Sequence, residues 1–497
     1  NNFIGLVTLP LSKNLIINKI DKNFIGHTEL LQSLENKKFS NMILLNNKII
    51  ISTLTTHIKI NSISKTISKK NYIYNQITNL NYTLIKDFNI KNPKIIISGL
   101  NPHSGENGKI GNEETKIIKP EIKKLKRKKI KQIKNYSTRF SVDEISPIIR
   151  GLLSENKEQK FIVNYRTNNN LKYFINGKNV RSYSRKGTAT PDHVIRVKPF
   201  PLIITPKKNS TIKEFEITAR KAFENYRKKY IQYFKVNHKK VSEKKVMLDT
   251  SPRVILIQNV GMFSVGKDLS GAKIAGDLTE TNAKVISSVE ETSTYKFIPE
   301  KDLFDVEYWS LEQAKIKKKK KLLEGHVVVI TGSTGTIGFE TYKMFKSYGA
   351  EVILLDNNLK SLGLVKSQIK DLCIHCDVTN KKSVKKAFKE ICEKFGGIDI
   401  LISNAGTAPG GAIGDVSDDV LRKSFEINFF AHQNCASEAI SIMRKQNING
   451  CLLFNISKQS VNPGKNFGPY GLPKSALLSL CKQYAVDYGS YGIRSNG

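Results

Sequence analysis

HVVVITGSTGTIG, residues 326–338, decides the fold of the last third of this chain. Val327 to Ile330 read as a buried strand, and Gly332, Gly335 and Gly338 follow as a turn. Glycines in such a turn let backbone N–H groups approach a pyrophosphate, whose charge the next helix N-terminus favours. Alone this is a weak signal, since glycine-rich turns are also plain structural turns. The next apolar stretch, EVILLD, strengthens it by ending in Asp356, 18 residues past Gly338. A carboxylate there bonds the adenosine ribose hydroxyls and repels a 2′-phosphate, which favours NAD over NADP.

From Gly325 onward apolar stretches alternate with helical ones, with strands expected at 326–331, 351–356, 372–377, 399–404 and 451–457. Alternation of this kind predicts a parallel sheet with right-handed crossovers. Near the end stand Ser457, Tyr470 and Lys474, in the order Ser-x12-Tyr-x3-Lys. A free phenol, with a pKa near ~10, is a poor base at neutral pH. Lys474 stands at i+4, one helical turn on, where its ammonium favours the ionised phenol. The bland alternative, a helix-surface pair, does not explain Ser457 upstream of it.

These residues resemble the short-chain dehydrogenase/reductase family over about residues 322–497. The resemblance implies a tetrad of Asn428, Ser457, Tyr470 and Lys474: Tyr470 as acid/base, Ser457 on the substrate oxygen, and Asn428 holding a water that links Lys474 to solvent. It implies cofactor contacts from Gly332, Ser333, Gly335, Ile337, Gly338, Asp356, Asp377, Val378, Asn404, Ala405 and Gly406, as well as from Tyr470 and Lys474. Asp377 of CDVT is expected to cap the adenine, and SNAG (403–406) to steady the sheet beside it. One departure is Thr336, which stands where the family turn usually has its second glycine. After IRSNG the family has further strands, so the fifth strand is expected to form an open edge.

Residues 135–320 read as a mixed α/β region with proline-rich turns near Pro191 and Pro199–Pro201. SPIIRGLL (146–153), RKGTATPDHVIRVKPFP (185–201), MLDTSPRVILI (247–257), GMFSVGKD (261–268) and LFDVEYWSLEQAK (303–315) resemble the central part of proteins that fuse a class II, rhamnulose-phosphate-type aldolase to a short-chain dehydrogenase. The family's zinc histidines lie upstream of this part, so no aldolase activity is expected. His193 and His238 do not make up the three or four ligands of a zinc site.

Residues 1–134 combine short apolar strands, Ile43–Ile51 and Lys94–Ser98, with helices, and end in a basic helix opened by Pro120. VTLPLSK (7–13), GHTE (26–29), TTHIKI (55–60) and GLNPHSGENGKIGNEE (99–114) resemble an interior part of 4-hydroxythreonine-4-phosphate dehydrogenase of vitamin B6 synthesis. The resemblance implies a divalent metal, zinc or similar, on His57 and His103, and substrate contacts from His27 and Thr28. NPHSGENG could also present backbone N–H groups to an anion. The abrupt change of resemblance predicts a composite chain joined near residues 130–137, with both ends cut and apolar faces left uncovered.

The chain carries 81 Lys+Arg against 43 Asp+Glu, a formal net charge of +38. The excess is mostly lysine, spread through every region, and no aromatics interleave with the runs KKLKRKKIKQIK (123–134) and KIKKKKK (315–321). Specific nucleic-acid binding is therefore not expected, and non-specific, salt-sensitive adhesion is. No apolar run approaches the ~20 residues of a membrane span. The six cysteines all fall in the last quarter, which fits a reducing cytoplasm better than a disulfide framework. Cys373 and Cys376 form C-I-H-C, read as part of a buried strand and not half a zinc site.

The expected fold class is therefore α/β: a C-terminal Rossmann-type sheet with helices on both faces, preceded by two partial α/β regions, 1–134 and 135–320. The expected function is an NAD-dependent oxidoreductase acting on a hydroxyl or carbonyl of a small sugar-, polyol- or aldehyde-derived substrate, as a homo-oligomer if its domains are whole. The alternatives are an inactive composite chain, or a basic binding protein with a vestigial dehydrogenase fold.

Overall fold

The computed structural model describes residues 8, 10–35, 39–46, 49–125, 130–155, 159–291, 294–315 and 319–497. Parts of VTLPLSK and of both lysine-rich runs lie outside the described residues. The chain divides into two compact units, 1–129 and 130–497.

In the first unit, β1 (Ile43–Leu45) and β2 (Ile50–Ser52) form an antiparallel hairpin. A small core of Ile67, Ile73, Ile77 and Ile118 holds the Tyr72–Lys86 helix to the helix that ends the unit. Residues Lys94–Ser98, expected as a strand, pair with no ladder. Pro120 does not open the last helix, which begins one turn earlier with a π-turn at Glu114–Ile118. Proline lacks an N–H and its ring crowds the carbonyl four residues back, and the wider turn relieves both. On the β1–β2 hairpin Leu44, Leu45, Ile49 and Ile51 are all more than half exposed.

The second unit contains two sheets. In the first, β3 (Ile162–Arg166), β4 (Leu202–Ile204), β5 (Val254–Ile257) and β6 (Gly261–Gly266) lie in the order β3-β6-β5-β4. Only β4 and β5 run parallel. One face packs on the Ile212–His238 helix through Phe215, Phe223 and Tyr230. The other packs on Leu269–Glu290 through Ala275, Ala283 and Ile286.

The second sheet holds β7 (Val327–Thr331), β8 (Glu351–Asp356), β9 (Leu372–His375), β10 (Ile400–Ser403), β11 (Gly450–Phe454) and β12 (Ile493–Asn496), all parallel. Their order is β12-β11-β10-β7-β8-β9. Alternate residues face opposite layers: Val328, Ile330, Val352 and Leu354 meet one set of helices, and Val327, Val329, Ile353 and Leu355 the other. Strand β11 is not the open edge expected from the sequence. The residues IRSN pair with it as a sixth strand, Gly450 opposite Ile493. Cys373 lies within β9 and Cys376 just beyond it, and among the described residues no three His, Cys, Asp or Glu side chains converge as a metal site.

The two sheets are joined by apolar contacts: Ile162 of β3 and Ala272 of the Leu269–Glu290 helix enter the apolar cluster of the second sheet. Arg150, on the Val142–Leu153 helix, is fully buried. It grips Asp399, just ahead of β10, with bonds of 3.2 Å and 2.5 Å, and donates to the carbonyls of Phe161 and Gly325. Lys160 reaches the same carboxylate at 2.7 Å, and the Val327 N–H donates to it at 2.8 Å. This junction fixes the N-terminal ends of β7 and β10, at the opposite end of the sheet from the cleft described next.

Candidate active site

Strand order reverses between β7 and β10, and at such a switch point the loops leaving the strand ends part to form a crevice. A cleft of about 530 Å³ opens there. It is lined by Gly332, Gly335, Thr336, Ile337 and Gly338 after β7, Asp356 at the end of β8, and Val378 after β9. Asn404, Ala405 and Gly406 after β10, with Asn428, Tyr470 and Lys474, complete it. Residues predicted from separate motifs across 143 positions (332 to 474) thus meet in one place.

The turn is close-packed where the sequence demanded glycine. A Cβ on Gly338 would lie 2.4 Å from the Gly332 carbonyl oxygen, and one on Gly332, at φ +60°, 2.8 Å from the Ala405 Cα. At Gly335 the nearest atom would be 3.5 Å away. Thr336, the departure noted in the sequence, begins the Thr336–Ser347 helix and faces the cleft. Gly338→Ala should therefore displace the turn and weaken NADH binding about tenfold or more, equivalent to about 1.4 kcal/mol, as measured by fluorescence titration.

Asp356 accepts from the Thr334 N–H at 3.0 Å and hydroxyl at 2.8 Å, and from the Asn358 N–H at 3.0 Å. Its carboxylate is thus held on the cleft wall. Two residues expected at the cofactor take other positions. Ser333 is fully buried and donates to the Leu355 carbonyl, 3.1 Å, which turns its hydroxyl into the sheet. Asp377 accepts from the Thr379 N–H and hydroxyl, bracing the turn that carries Val378 instead of lining the cleft.

Lys474 is 3% exposed, and burial pushes its ammonium down to about 8. It donates to the Asn455 carbonyl at 2.8 Å, with the Tyr470 ring centroid 5.8 Å from its Nζ. Asn455 is a residue that sequence reasoning missed. Its amide donates to Asn404 Oδ1 at 2.8 Å, and Asn404 in turn donates to the carbonyls of Thr331 and Gly332 at 3.1 Å each. Two asparagines thus tie Lys474 to the glycine turn. The available signal was an asparagine at the exit of a parallel strand, two residues before Ser457.

Asn428 is fully buried in a π-turn, Glu426–Phe430. Its Oδ1 accepts from the Thr407 N–H at 3.2 Å, and its Nδ2 donates to the Thr407 carbonyl at 2.9 Å. Ser457 begins a short turn and accepts from the Gln459 N–H at 3.2 Å, and it does not line the cleft beside Asn428, Tyr470 and Lys474.

In the first unit, His27 and Thr28 open the His27–Leu34 helix, and Glu29 follows them. Burial works to raise the Glu29 pKa, but bonds from His57 and Thr56 outweigh it and hold the carboxyl below its ordinary value. His57 Nδ1 lies 3.0 Å from the Glu29 carboxylate. His57 and Glu29 thus sit beside His27 and Thr28, whereas His103 is exposed on a separate turn. The described residues do not assemble a three-ligand metal site, and two histidines, one already paired, do not fit one. In NPHSGENG the Asn101 N–H donates to the Glu114 carboxylate at 2.7 Å. In the second unit, His193 Nδ1 lies 3.3 Å from Asn282 Oδ1, so Asn282, not Asp192, orients it. His238 stacks on Phe234.

A parallel sheet with a glycine turn, an acid on the second strand and a Tyr-Lys pair at its switch point defines an oxidoreductase of Rossmann type. Comparison with known proteins agrees. Residues 326–497 match the short chain dehydrogenase family, residues 141–316 the second domain of class II aldolases, and residues 1–138 the pyridoxal phosphate biosynthetic protein PdxA. Short-chain dehydrogenase reductase 3b of Arabidopsis thaliana is 34% identical over 185 residues, 36% of this chain and 70% of that protein. The uncharacterized oxidoreductase YuxG of Bacillus subtilis (strain 168) is 30% identical over 363 residues, 71% of this chain. This chain spans 52% of the length of the Bacillus protein. A 3-ketoacyl-(acyl-carrier-protein) reductase from Brucella melitensis, solved with NADH, is 24% identical with a TM-score of 0.34, over 34% of this chain and 73% of that one. Through residues 326–497 the chain belongs to the short-chain dehydrogenase/reductase family. No helix among the described residues is long and apolar enough to cross a membrane.

Proposed function

We propose that residues 321–497 transfer hydride between NAD(H) and a carbon bearing a hydroxyl or carbonyl in a small sugar-, polyol- or aldehyde-derived substrate. The observation that carries this reading is the meeting of Asp356, Asn404, Asn428, Tyr470 and Lys474 in one cleft. NAD, when bound, supplies the hydride acceptor or donor. Gly332, Gly335 and Gly338 would face its pyrophosphate, Asp356 its adenosine ribose, and Val378 and Asn404 the intervening wall.

In the oxidative direction, Ser457 donates its hydroxyl proton to the substrate oxygen and fixes its place. Tyr470, ionised, takes the proton of the substrate hydroxyl as the C–H pair leaves as hydride and the C=O bond forms. Lys474 supplies positive charge beside the phenol while that proton moves. Asn428, locked to Thr407, would hold a water that links Lys474 to solvent. Residues 135–320 serve this reading as a folded base for the sheet, and residues 1–134 are given no step in it.

The gap between Asn428 and Lys474 is narrow. A Cβ on Gly406 would come 2.8 Å from Asn428 Oδ1 and 3.7 Å from Lys474 Nζ, where a relay water would sit. Gly406→Ala should lower kcat about tenfold, as steady-state turnover would measure. The test of the reading is NADH-linked turnover against a panel of small polyols, hydroxyaldehydes and sugars. Activity on at least one, abolished with Tyr470→Phe, supports it, and NADH binding without turnover on any neutral hydroxyl or carbonyl substrate counts against it.

A further inference from the structure

At the adenosine end of the cleft, Asp356 is held from two sides. It closes β8 and is 9% exposed. Thr334, in the glycine turn after β7, gives its Oδ2 two bonds: the backbone N–H at 3.0 Å and the side-chain hydroxyl at 2.8 Å. Its Oδ1 accepts from the Asn358 N–H at 3.0 Å. Asn358 is itself fixed, because its side chain caps the Leu359–Gln368 helix by accepting from the Ser361 N–H at 3.0 Å. The carboxylate is thus clamped between the loops that leave the paired strands β7 and β8.

The direction of each bond follows from the groups. An ionised carboxylate only accepts, so the Thr334 hydroxyl donates to it. A carboxylate offers about four acceptor positions, two on each oxygen. Oδ2 is therefore filled, and Oδ1 keeps room for one more donor. That position is left to the cleft, which Asp356 lines and Thr334 does not. A ribose hydroxyl can donate to it, whereas a 2′-phosphate brings negative charge against negative charge. Repulsion of this kind discriminates between ligands only if the repelling group cannot turn away. The Thr334 hydroxyl is the side-chain bond that keeps Asp356 from turning.

We propose that Thr334 is a positioning residue for cofactor choice: its hydroxyl locks the Asp356 carboxylate in the orientation that accepts an adenosine ribose hydroxyl and repels a 2′-phosphate. This rests on the reading of the cleft as a dinucleotide site. Thr334→Val keeps both backbone bonds, one on each oxygen, and gives the carboxylate freedom to turn. A threonine that only shaped the turn would affect both dinucleotides alike.

The measurement is fluorescence titration of the full-length chain with NADH and with NADPH, read as the ratio of the two dissociation constants. The parent chain should bind NADH more tightly. In Thr334→Val that preference should shrink about tenfold, through weaker NADH binding, stronger NADPH binding or both. Thr334→Ser, which returns the hydroxyl, should restore most of it. In an Asp356→Ala background Thr334→Val should change the ratio no further, because the threonine acts through the carboxylate. An unchanged ratio in Thr334→Val overturns the proposal, as does a full further shift in the Asp356→Ala background or a parent chain that prefers NADPH. Should Thr334→Val not fold, Thr334→Ala removes the same hydroxyl and is read in the same way. The two readings fail differently. A parent chain that binds neither dinucleotide rejects the cleft as a cofactor site, and the clamp with it, whereas NADH binding with a ratio indifferent to Thr334 rejects the clamp alone.

Discussion

Arg150→Ala is expected to destabilise the 130–497 unit by about 3–5 kcal/mol, the usual result of stripping one partner from a buried ion pair. The guanidinium is fully buried and Asp399 is 1% exposed, so water cannot replace the lost bonds. Lys160 and the Val327 N–H remain on the carboxylate, which places the effect toward the lower end of that range. Asp399→Asn should cost a comparable amount, because it leaves Arg150 charged and without its anion. The check is denaturant unfolding of the full-length chain with a probe in the second unit. The pH dependence has a definite sign. Burial works against ionisation of Asp399, but Arg150 and Lys160 outweigh it and hold its pKa well below the usual carboxylate range. A folded value below the unfolded one contributes stability that is complete above the unfolded pKa of about 3.9. That stability is lost as pH falls from there toward the folded value. Arg150→Ala should accordingly begin its acid unfolding at a higher pH than the parent chain. An unchanged acid limb would show that Asp399 does not depend on Arg150.

The second large effect belongs to Tyr470. Tyr470→Phe removes the hydroxyl proposed to take the substrate proton and keeps the ring that lines the cleft. It should lower kcat by about 10²–10⁴-fold, the range for loss of a positioned acid/base. NADH affinity should stay within about twofold, because a phenyl ring preserves the wall beside Lys474. Equal losses in kcat and in cofactor affinity would mean that Tyr470 shapes the site instead of exchanging a proton there.

Much of the dehydrogenase sheet was legible because each strand is a short apolar run closed by a residue with a task. Gly332 closes β7, Asp356 β8 and Asn404 β10. Parallel strands buried on both faces leave little ambiguity in such runs. The expectation of an open edge at β11 failed because IRSN, with a single buried apolar residue, Ile493, still pairs with it over four residues. Lys94–Ser98 failed for the opposite reason: it carries three consecutive isoleucines, but among the described residues no strand pairs with them.

The candidate site was legible where a residue's chemistry is set by local spacing, as with Tyr470 and Lys474. It was not legible where long-range hydrogen bonds decide. Nothing in FNIS announces that Asn455 will donate to Asn404. Nothing near SNAG announces that Ser403 will meet His432. Ser333 was drawn to the cofactor by its place in the glycine turn, yet backbone geometry turns its hydroxyl onto the Leu355 carbonyl. Arg150 looked like one more cation in a basic chain, and only the fold shows it to be the buried link between the two sheets.

The most direct test of the account is NADH fluorescence titration of the full-length chain beside its Asp356→Ala and Tyr470→Phe variants. The account predicts saturable binding in the parent chain, binding retained in Tyr470→Phe, and binding weakened at least tenfold in Asp356→Ala. Absence of saturable binding in the parent chain, or equal binding in all three, would contradict the claim that this cleft is a dinucleotide site.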